Sequence, residues 1–258
     1  MNDSFLEKFE KMRAAGNLAA RTLDMLGENV KEGISTNDID KLGYEFIRDN
    51  GGYSAPLFYR GFKKSLCTSL NHVVCHGIPS DKILNEGDII NVDVTAIVDE
   101  HHGDTSRMFS IGEISIKARN LCNATYESMI RGIKILKPGI KLGDIGYEIQ
   151  SYIESKGFSV VRAFCGHGIS TKFHEPPNIL HYGEKNTGIE LMPGMTFTIE
   201  PMINAGKYDV KILGDGWTAV TKDKSLSAQF EHTVGITENG YEIFTESDKN
   251  NLGLQTNS

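Results

Sequence analysis

VKEGISTNDIDKLGYEFIRDNG, residues 30–51, returns 106 positions later without a gap as LKPGIKLGDIGYEIQSYIESKG, residues 136–157. Seven of the 22 positions are identical: Lys31, Gly33, Ile34, Asp38, Ile39, Ile47 and Gly51 meet Lys137, Gly139, Ile140, Asp144, Ile145, Ile153 and Gly157. A self-match at long period is the mark of a repeated structural unit. Helical spacing precedes each copy. Leu6, Phe9, Met12, Ala19, Leu23 and Leu26 share one face in the first, and Leu121, Met129, Ile133 and Leu136 in the second. Each copy then opens a second helix. Ser35-x-x-Asp38 predicts a capping box ahead of the stripe Ile39, Leu42 and Phe46, and Ile145, Ile149 and Tyr152 repeat the stripe.

Working outward, the repeat runs into strands. Gly87-Asp-Ile-Ile-Asn-Val-Asp93 lies against Gly194-Met-Thr-Phe-Thr-Ile-Glu200, with a carboxylate six residues after a glycine in both. Alternation puts Asn91, Asp93 and Thr95 on one strand face and Ile90, Val92 and Val94 on the other. It likewise sets Thr196, Thr198 and Glu200 against Phe197 and Ile199. A second carboxylate follows in each half, Asp104 in HGDTSRMFSIG and Glu231 in QFEHTVGITENG. The runs 88–98 and 104–111 flank a polar stretch, Asp99-Glu-His-His-Gly103, which predicts a hairpin turn there. Asp93 and Asp104 are then opposite or diagonal neighbours, with Cβ atoms about 4.5–5.5 Å apart if opposite. Two inward carboxylates so close repel unless a cation or a shared proton intervenes. Four converging carboxylates form an oxygen-rich cage for two divalent ions. Solvated surface acids are the ordinary alternative, but each of these acids interrupts an apolar, β-branched strand.

Histidines add nitrogen donors. His167 sits between glycines in Cys165-Gly-His-Gly168, where backbone approaches closely. One imidazole beside carboxylates suits Mn, Fe, Co or Zn better than Mg or Ca. His174 in Phe-His-Glu-Pro-Pro and His76 in Val-Cys-His-Gly-Ile-Pro lie in loops near the proposed site and are expected to function there. His101 and His102, in the predicted turn, read as surface residues. His72 and His181 attract no role. His232 faces the other side of its strand from Glu231 and reads as structural or supporting. His174-Glu-Pro-Pro-Asn178 is not a zincin helix, Gly214-Asp-Gly-Trp-Thr-Ala219 reads as a turn, and Lys63-Lys64 and Lys222–Lys224 as solvated charge.

Composition bounds the remaining classes. The chain has 258 residues, of which 39% are hydrophobic, and a net charge of −7 from 27 basic and 34 acidic groups. That is enough apolar matter for a core, too acidic for broad nucleic-acid binding, and without an apolar run long enough to span a membrane. The start, MNDSFLEKFEKMR, has no secretion-signal core, and four cysteines (67, 75, 122 and 165) contain no CxxC pair. A reducing cytoplasm is the expected compartment.

Six ordered motifs, NVDVT, HGDTSRMF, CGHGI, FHEPP, FTIEP and QFEHT, with SLNHVVCHGIP upstream, closely resemble the type I methionine aminopeptidases in their short bacterial form. The resemblance runs from about Phe9 to Thr245. It implies an α/β pita-bread fold, two pseudo-symmetric α/β halves around a dinuclear metal site. One catalytic domain over 1–258 is expected, with halves of about 9–112 and 117–245 and a loose polar tail, 246–258. The implied metal ligands are Asp93, Asp104, His167, Glu200 and Glu231, holding two divalent cations (Co, Mn, Fe or Zn). Glu200 is the implied proton carrier, and His76 and His174 contact substrate. Tyr59, Phe62, Cys67, Phe173 and Trp217 would line a methionine pocket, with crowding beyond it that demands a small second residue. The implied partner is the N-terminal Met of nascent polypeptides, met transiently at the ribosome, with no nucleic-acid or membrane partner and a monomeric state.

The chain departs from the family at Ser170, where glycine is usual after HGI, and at Lys63, where Gly-Tyr/Phe-Pro is common. Both positions lie near the substrate entrance, where they affect fine preference. A proline-specific relative on the same scaffold and a non-catalytic binding protein are the rival readings. The first usually needs an extra N-terminal domain, and the second loses ligands that are all present here.

Overall fold

The computed structural model describes residues 3–249 and 253–257. Four long helices follow the predicted pattern: α1 (Asp3–Gly27), α2 (Thr36–Asp49), α3 (Ile116–Lys134) and α4 (Leu142–Ser155). The capping box forms at α2, where the Ser35 hydroxyl accepts from the Asp38 amide at 3.1 Å and the Asp38 carboxylate accepts from the Ser35 amide at 3.3 Å. At α4 the equivalent residue is Lys141, which has no hydroxyl. Only the return bond from its amide to Asp144 is made, at 2.9 Å. Phe9, Met12, Ala19, Leu23 and Leu26 are buried along α1 as their spacing predicts, whereas Leu6 lies exposed at its start.

Two five-stranded sheets face these helices. The first runs Tyr53–Ser54, Ile89–Val98, His101–Ile111 and Gln255–Asn257, with Cys67–Leu70 also pairing to Ile89–Val98. The second runs Tyr241–Ile243, His232–Ile236, Thr196–Ile199, Gly166–Gly168 and Glu175–Ile179. Ile90, Val92 and Val94 turn inward against Leu18, Leu23 and Leu26 of α1 and Ile39 and Ile47 of α2. In the other half Leu121, Met129, Ile133, Ile145, Ile149 and Ile153 pack with Phe197 and Ile199. The apolar strand faces thus go to the helices, and the polar faces are left for the space between the halves.

The halves are sewn at two facing strands. Ser106 and Glu231 form an isolated antiparallel bridge. The Thr105 hydroxyl donates to the Glu231 carbonyl at 2.7 Å. Thr233 Oγ1 accepts from the Asp104 amide at 3.0 Å and donates to the Asp104 carbonyl at 2.7 Å. Helix α1 also approaches the first sheet closely at Gly103, where a methyl group would overlap the Gly16 backbone.

Three expectations change. The hairpin turn is only Asp99-Glu100, both left-handed (φ 45° and 64°), so the strand resumes at His101. A two-residue turn of this kind matches the twist of its strands. His101 and His102 are therefore not surface residues but buried, each 8% exposed, with their Nδ1 atoms against the Asp99 and Ser170 carbonyls. Of the lysine clusters, Lys63, Lys222 and Lys224 are exposed, but Lys64 reaches Asn37 at 2.6 Å. The polar composition of the tail predicts a loose end, yet Gln255–Asn257 adds a parallel strand beside Phe109–Ile111. Residues 250–252 and 258 of that tail, and Met1 and Asn2, lie outside the described residues.

Candidate metal centre

The register decides where the first two carboxylates stand. Asp93 lies opposite Ser106 and Asp104 opposite Thr95, so the acids are diagonal neighbours on one sheet face. Glu200 follows the last residue of Thr196–Ile199 and Glu231 precedes the first of His232–Ile236. The seam at Ser106–Glu231 brings the two pairs together. Asp93 meets Asp104, and Glu200 meets Glu231, carboxyl to carboxyl. His167 completes the group, its Nε2 standing 3.6 Å from Asp104 Oδ2 and 3.6 Å from Glu200 Oε1. Ligand atoms of Asp104, His167 and Glu231 all lie within 4.8 Å of one another.

Two of the acids, Asp104 and Glu200, are held by side-chain donors. The Thr95 hydroxyl donates to Asp104 Oδ1 at 2.7 Å, and the Thr198 hydroxyl donates to Glu200 Oε1 at 2.7 Å. Gln229 Nε2 donates to Glu200 Oε2 at 3.2 Å. His167 Nδ1 lies 3.1 Å from the Gly168 carbonyl, so that nitrogen donates to it and Nε2 is turned to the carboxylates. A histidine fixed in this way by its far nitrogen is oriented as a ligand.

The electrostatics point the same way. Burial, with the charges of Asp104 and Glu200, pushes Asp93 well above the usual carboxylate range. Burial does the same to Glu231, aided by Asp104, Glu200 and Asp93. Glu200 rises to about 7, burial and Asp104 outweighing His167 and the Thr198 hydroxyl. Burial alone would lower His167, but Asp104 and Glu200 raise it. Three acids that resist ionisation, Asp93, Glu200 and Glu231, beside Asp104 and one oriented imidazole, fit divalent cations, which would replace the protons.

The acids floor a cavity of about 500 Å³. Tyr59, Phe62, Cys67, Phe173 and Trp217 line it, as do His76 and His174. Phe62 and Trp217 meet edge to face at 5.1 Å, and His76 packs edge-on to Phe164 and Trp217. His174 stacks 5.2 Å from Tyr59 and 4.1 Å from His167, its Nδ1 being 3.1 Å from the Tyr59 hydroxyl. Desolvation and the neighbouring His167 bring His174 down to about 4, so its ring is neutral at physiological pH.

Some contributors escaped sequence reading. His181, which drew no role, is buried and accepts the Glu200 amide on Nε2 at 3.0 Å. It lies in a loop, without a pattern that would expose it. Cys75, Phe164 and Met202 also line the cavity. Thr95 and Thr198 were legible as same-face neighbours of the acids. His232 is buried with Nδ1 against Thr245 at 2.9 Å, and exposed His72 stands outside the site. Asp215 accepts the Trp217 and Thr218 amides, which forms the predicted turn there.

Comparison with known proteins places this geometry among relatives. The model for metallopeptidase family M24 matches residues 10–238. A methionine aminopeptidase of Rickettsia prowazekii is 57% identical over 242 residues, covering 93% of each chain. One from Escherichia coli K12 is 53% identical over 241 residues, covering 93% of this chain and 91% of the relative. The crystal structure of methionine aminopeptidase from Rickettsia prowazekii superposes with a TM-score of 0.92 at 56% identity, covering 93% of this chain and 97% of that one.

Proposed function

The chain belongs to the methionine aminopeptidases of metallopeptidase family M24, with their pita-bread fold, and from that premise we propose how it works and on what. It removes N-terminal methionine from nascent proteins and peptides, preferentially when the second residue is small and uncharged. Asp93, Asp104, His167, Glu200 and Glu231 hold two divalent cations, drawn from Co, Mn, Fe or Zn. The chain acts as one cytoplasmic, monomeric catalytic domain over 1–258, with halves of about 9–112 and 117–245, meeting its substrate transiently at the ribosome. The observation that carries this reading is the pairing of Asp93 with Asp104 and of Glu200 with Glu231, beside His167, on the floor of an aromatic- and thiol-lined cavity.

When bound, the cations supply Lewis acidity and a water acidic enough to attack near neutral pH. Glu200, facing His167 and Glu231 on the cavity floor, would accept a proton from the attacking water and deliver it to the leaving amide nitrogen. Neutral His174 accepts the Tyr59 hydroxyl on Nδ1 and presents Nε2–H to the scissile carbonyl oxygen. His76 orients the leaving amide, and Asp93 meets the free α-amine, which restricts cleavage to the chain end. Tyr59, Phe62, Cys67, Phe173 and Trp217 receive the methionine side chain, whose flexible thioether fits an irregular apolar pocket.

The test is release of methionine from Met-Ala-Ser and Met-Leu-Ser after chelation and after return of Mn or Co. Chelation should abolish turnover, metal should restore it, and Met-Ala-Ser should far outpace Met-Leu-Ser. Chelator-resistant activity, or equal rates on the two peptides, would contradict the respective part of the reading.

A further inference from the structure

The cavity floor is acidic, but the rim is not. Arg60 lines the cavity on the turn Tyr59–Gly61 and its backbone is left-handed (φ 48°, ψ 31°), as is that of Phe58 (φ 67°). A left-handed conformation is unfavourable for residues with a Cβ and persists where the surroundings impose it. The Arg60 guanidinium lies 5.3 Å from the Tyr59 ring centre. It is also close enough to His174 to disfavour protonation of that ring. Among the described residues none of the ion pairs uses Arg60. The one rim acid, Glu175, accepts from the Ser170 hydroxyl at 2.5 Å and is felt by Lys8. Exposed Lys63 and Lys172 lie on the same two loops as the pocket aromatics Phe62 and Phe173, and add positive potential.

Distance assigns this cation to a part of the substrate. From His167 to His174, Tyr59 and the Arg60 guanidinium the steps are 4.1, 5.2 and 5.3 Å, less than 15 Å end to end. An extended peptide advances about 3.3 Å per residue. A chain whose first residue sits at the carboxylate floor and which leaves past His174 and Tyr59 would bring its third residue within side-chain reach of Arg60. We infer that Arg60 is a specificity-determining residue which favours an acidic side chain at the third position of the substrate. An unpaired guanidinium of this kind offers paired N–H donors to a carboxylate. The inference rests on the proposed cleavage of N-terminal methionine, and the two can fail separately.

The experiment uses metal-loaded enzyme and amidated peptides Met-Ala-Xaa-Ser-Gly, with Asp, Ala or Lys as Xaa, so that no terminal carboxylate competes. In the parent at about 20 mM salt, kcat/KM for Asp should exceed that for Lys roughly five- to ten-fold, mostly through KM, and the ratio should shrink at about 200 mM salt as screening grows. Arg60→Gln should bring the ratio near one and Arg60→Glu should invert it. Because each ratio is taken within one preparation, the fraction of active enzyme cancels. A parent ratio of one, or a ratio untouched by Arg60→Glu, overturns the inference while leaving methionine removal standing. No methionine release from any peptide overturns the underlying reading instead.

Discussion

Replacing Glu200 with Gln should stabilise the metal-free protein at alkaline pH, although it removes a residue of the proposed active centre. The buried Glu200 carboxyl titrates at about 7 against an ordinary 4.5. Its folded pKa is raised, so its stabilising contribution is complete below about 4.5 and is lost as pH rises through about 7. Between these values the unfolded chain has released a proton that the folded chain keeps, and stability falls with pH. At about 1.4 kcal/mol per pKa unit, ionising Glu200 in the fold costs about 3 kcal/mol by pH 8. Histidines run the other way. Burial brings His181 and His232 to about 3, and burial with His167 brings His174 to about 4, so each stabilises progressively as pH climbs to about 6.5. A single pH scan of the parent therefore mixes opposing slopes, whereas the difference between parent and Glu200→Gln cancels His174, His181 and His232. Calorimetric melting with chelator at pH 4.5 and pH 8 should show the two proteins matched in acid. In base the variant should be ahead by about 3 kcal/mol, roughly 6–12 °C for a chain of this size. Saturating Mn should reverse the order, because the cation requires the carboxylate that Gln lacks. An offset that does not change between the two pH values would refute the placement of Glu200 as a buried acid strained by its neighbours.

Turnover should respond as steeply. Glu200→Ala is expected to lower kcat on Met-Ala-Ser by about 10²–10⁴-fold, as loss of a positioned proton carrier does; near-parent turnover would remove Glu200 from that role. Tyr59→Phe leaves His174 Nδ1 without its partner at 3.1 Å, and kcat/KM should fall roughly five- to ten-fold, in line with about 1 kcal/mol for one hydrogen bond. Arg107 is 1% exposed and its guanidinium meets Asp24 at 2.9 Å. Asp24→Ala should cost about 3–5 kcal/mol in denaturant melts, with much of it recovered by adding Arg107→Met. Gly103→Val forces a side chain into the Gly16 backbone, and it should abolish cooperative thermal unfolding or lower the midpoint by more than about 10 °C.

Much of this molecule was legible from spacing alone. The stripes of α1 to α4 and the polar faces bearing Asp93 and Glu200 obey periods of 3.6 and 2, which any short window reveals. The hairpin was foreseen, but its turn was read too long. Polar character at His101-His102 suggests solvent, whereas the strand buries both rings, His101 against the Asp99 carbonyl and His102 against Ser170 and stacked on Phe173 at 5.6 Å. His181 illustrates the opposite failure. Its value lies in one long-range contact with the Glu200 amide, and no local pattern encodes it.

The order of chemical groups along the chain, their alternation and their duplication belong to the sequence by itself. From these came the helices, the strands and the candidate donor set of four acids and one imidazole. Whether those acids form a centre was decided by contacts between residues more than a hundred positions apart, above all the Ser106–Glu231 bridge and the Thr233–Asp104 bonds across the seam. The same closure buries Glu200 and raises it to about 7, and sets Arg60, which joins none of the ion pairs among the described residues, at the rim of the cavity. Periodicity is a property of neighbours along the backbone. Desolvation and charge–charge coupling act through space, and the folded chain alone sets those distances.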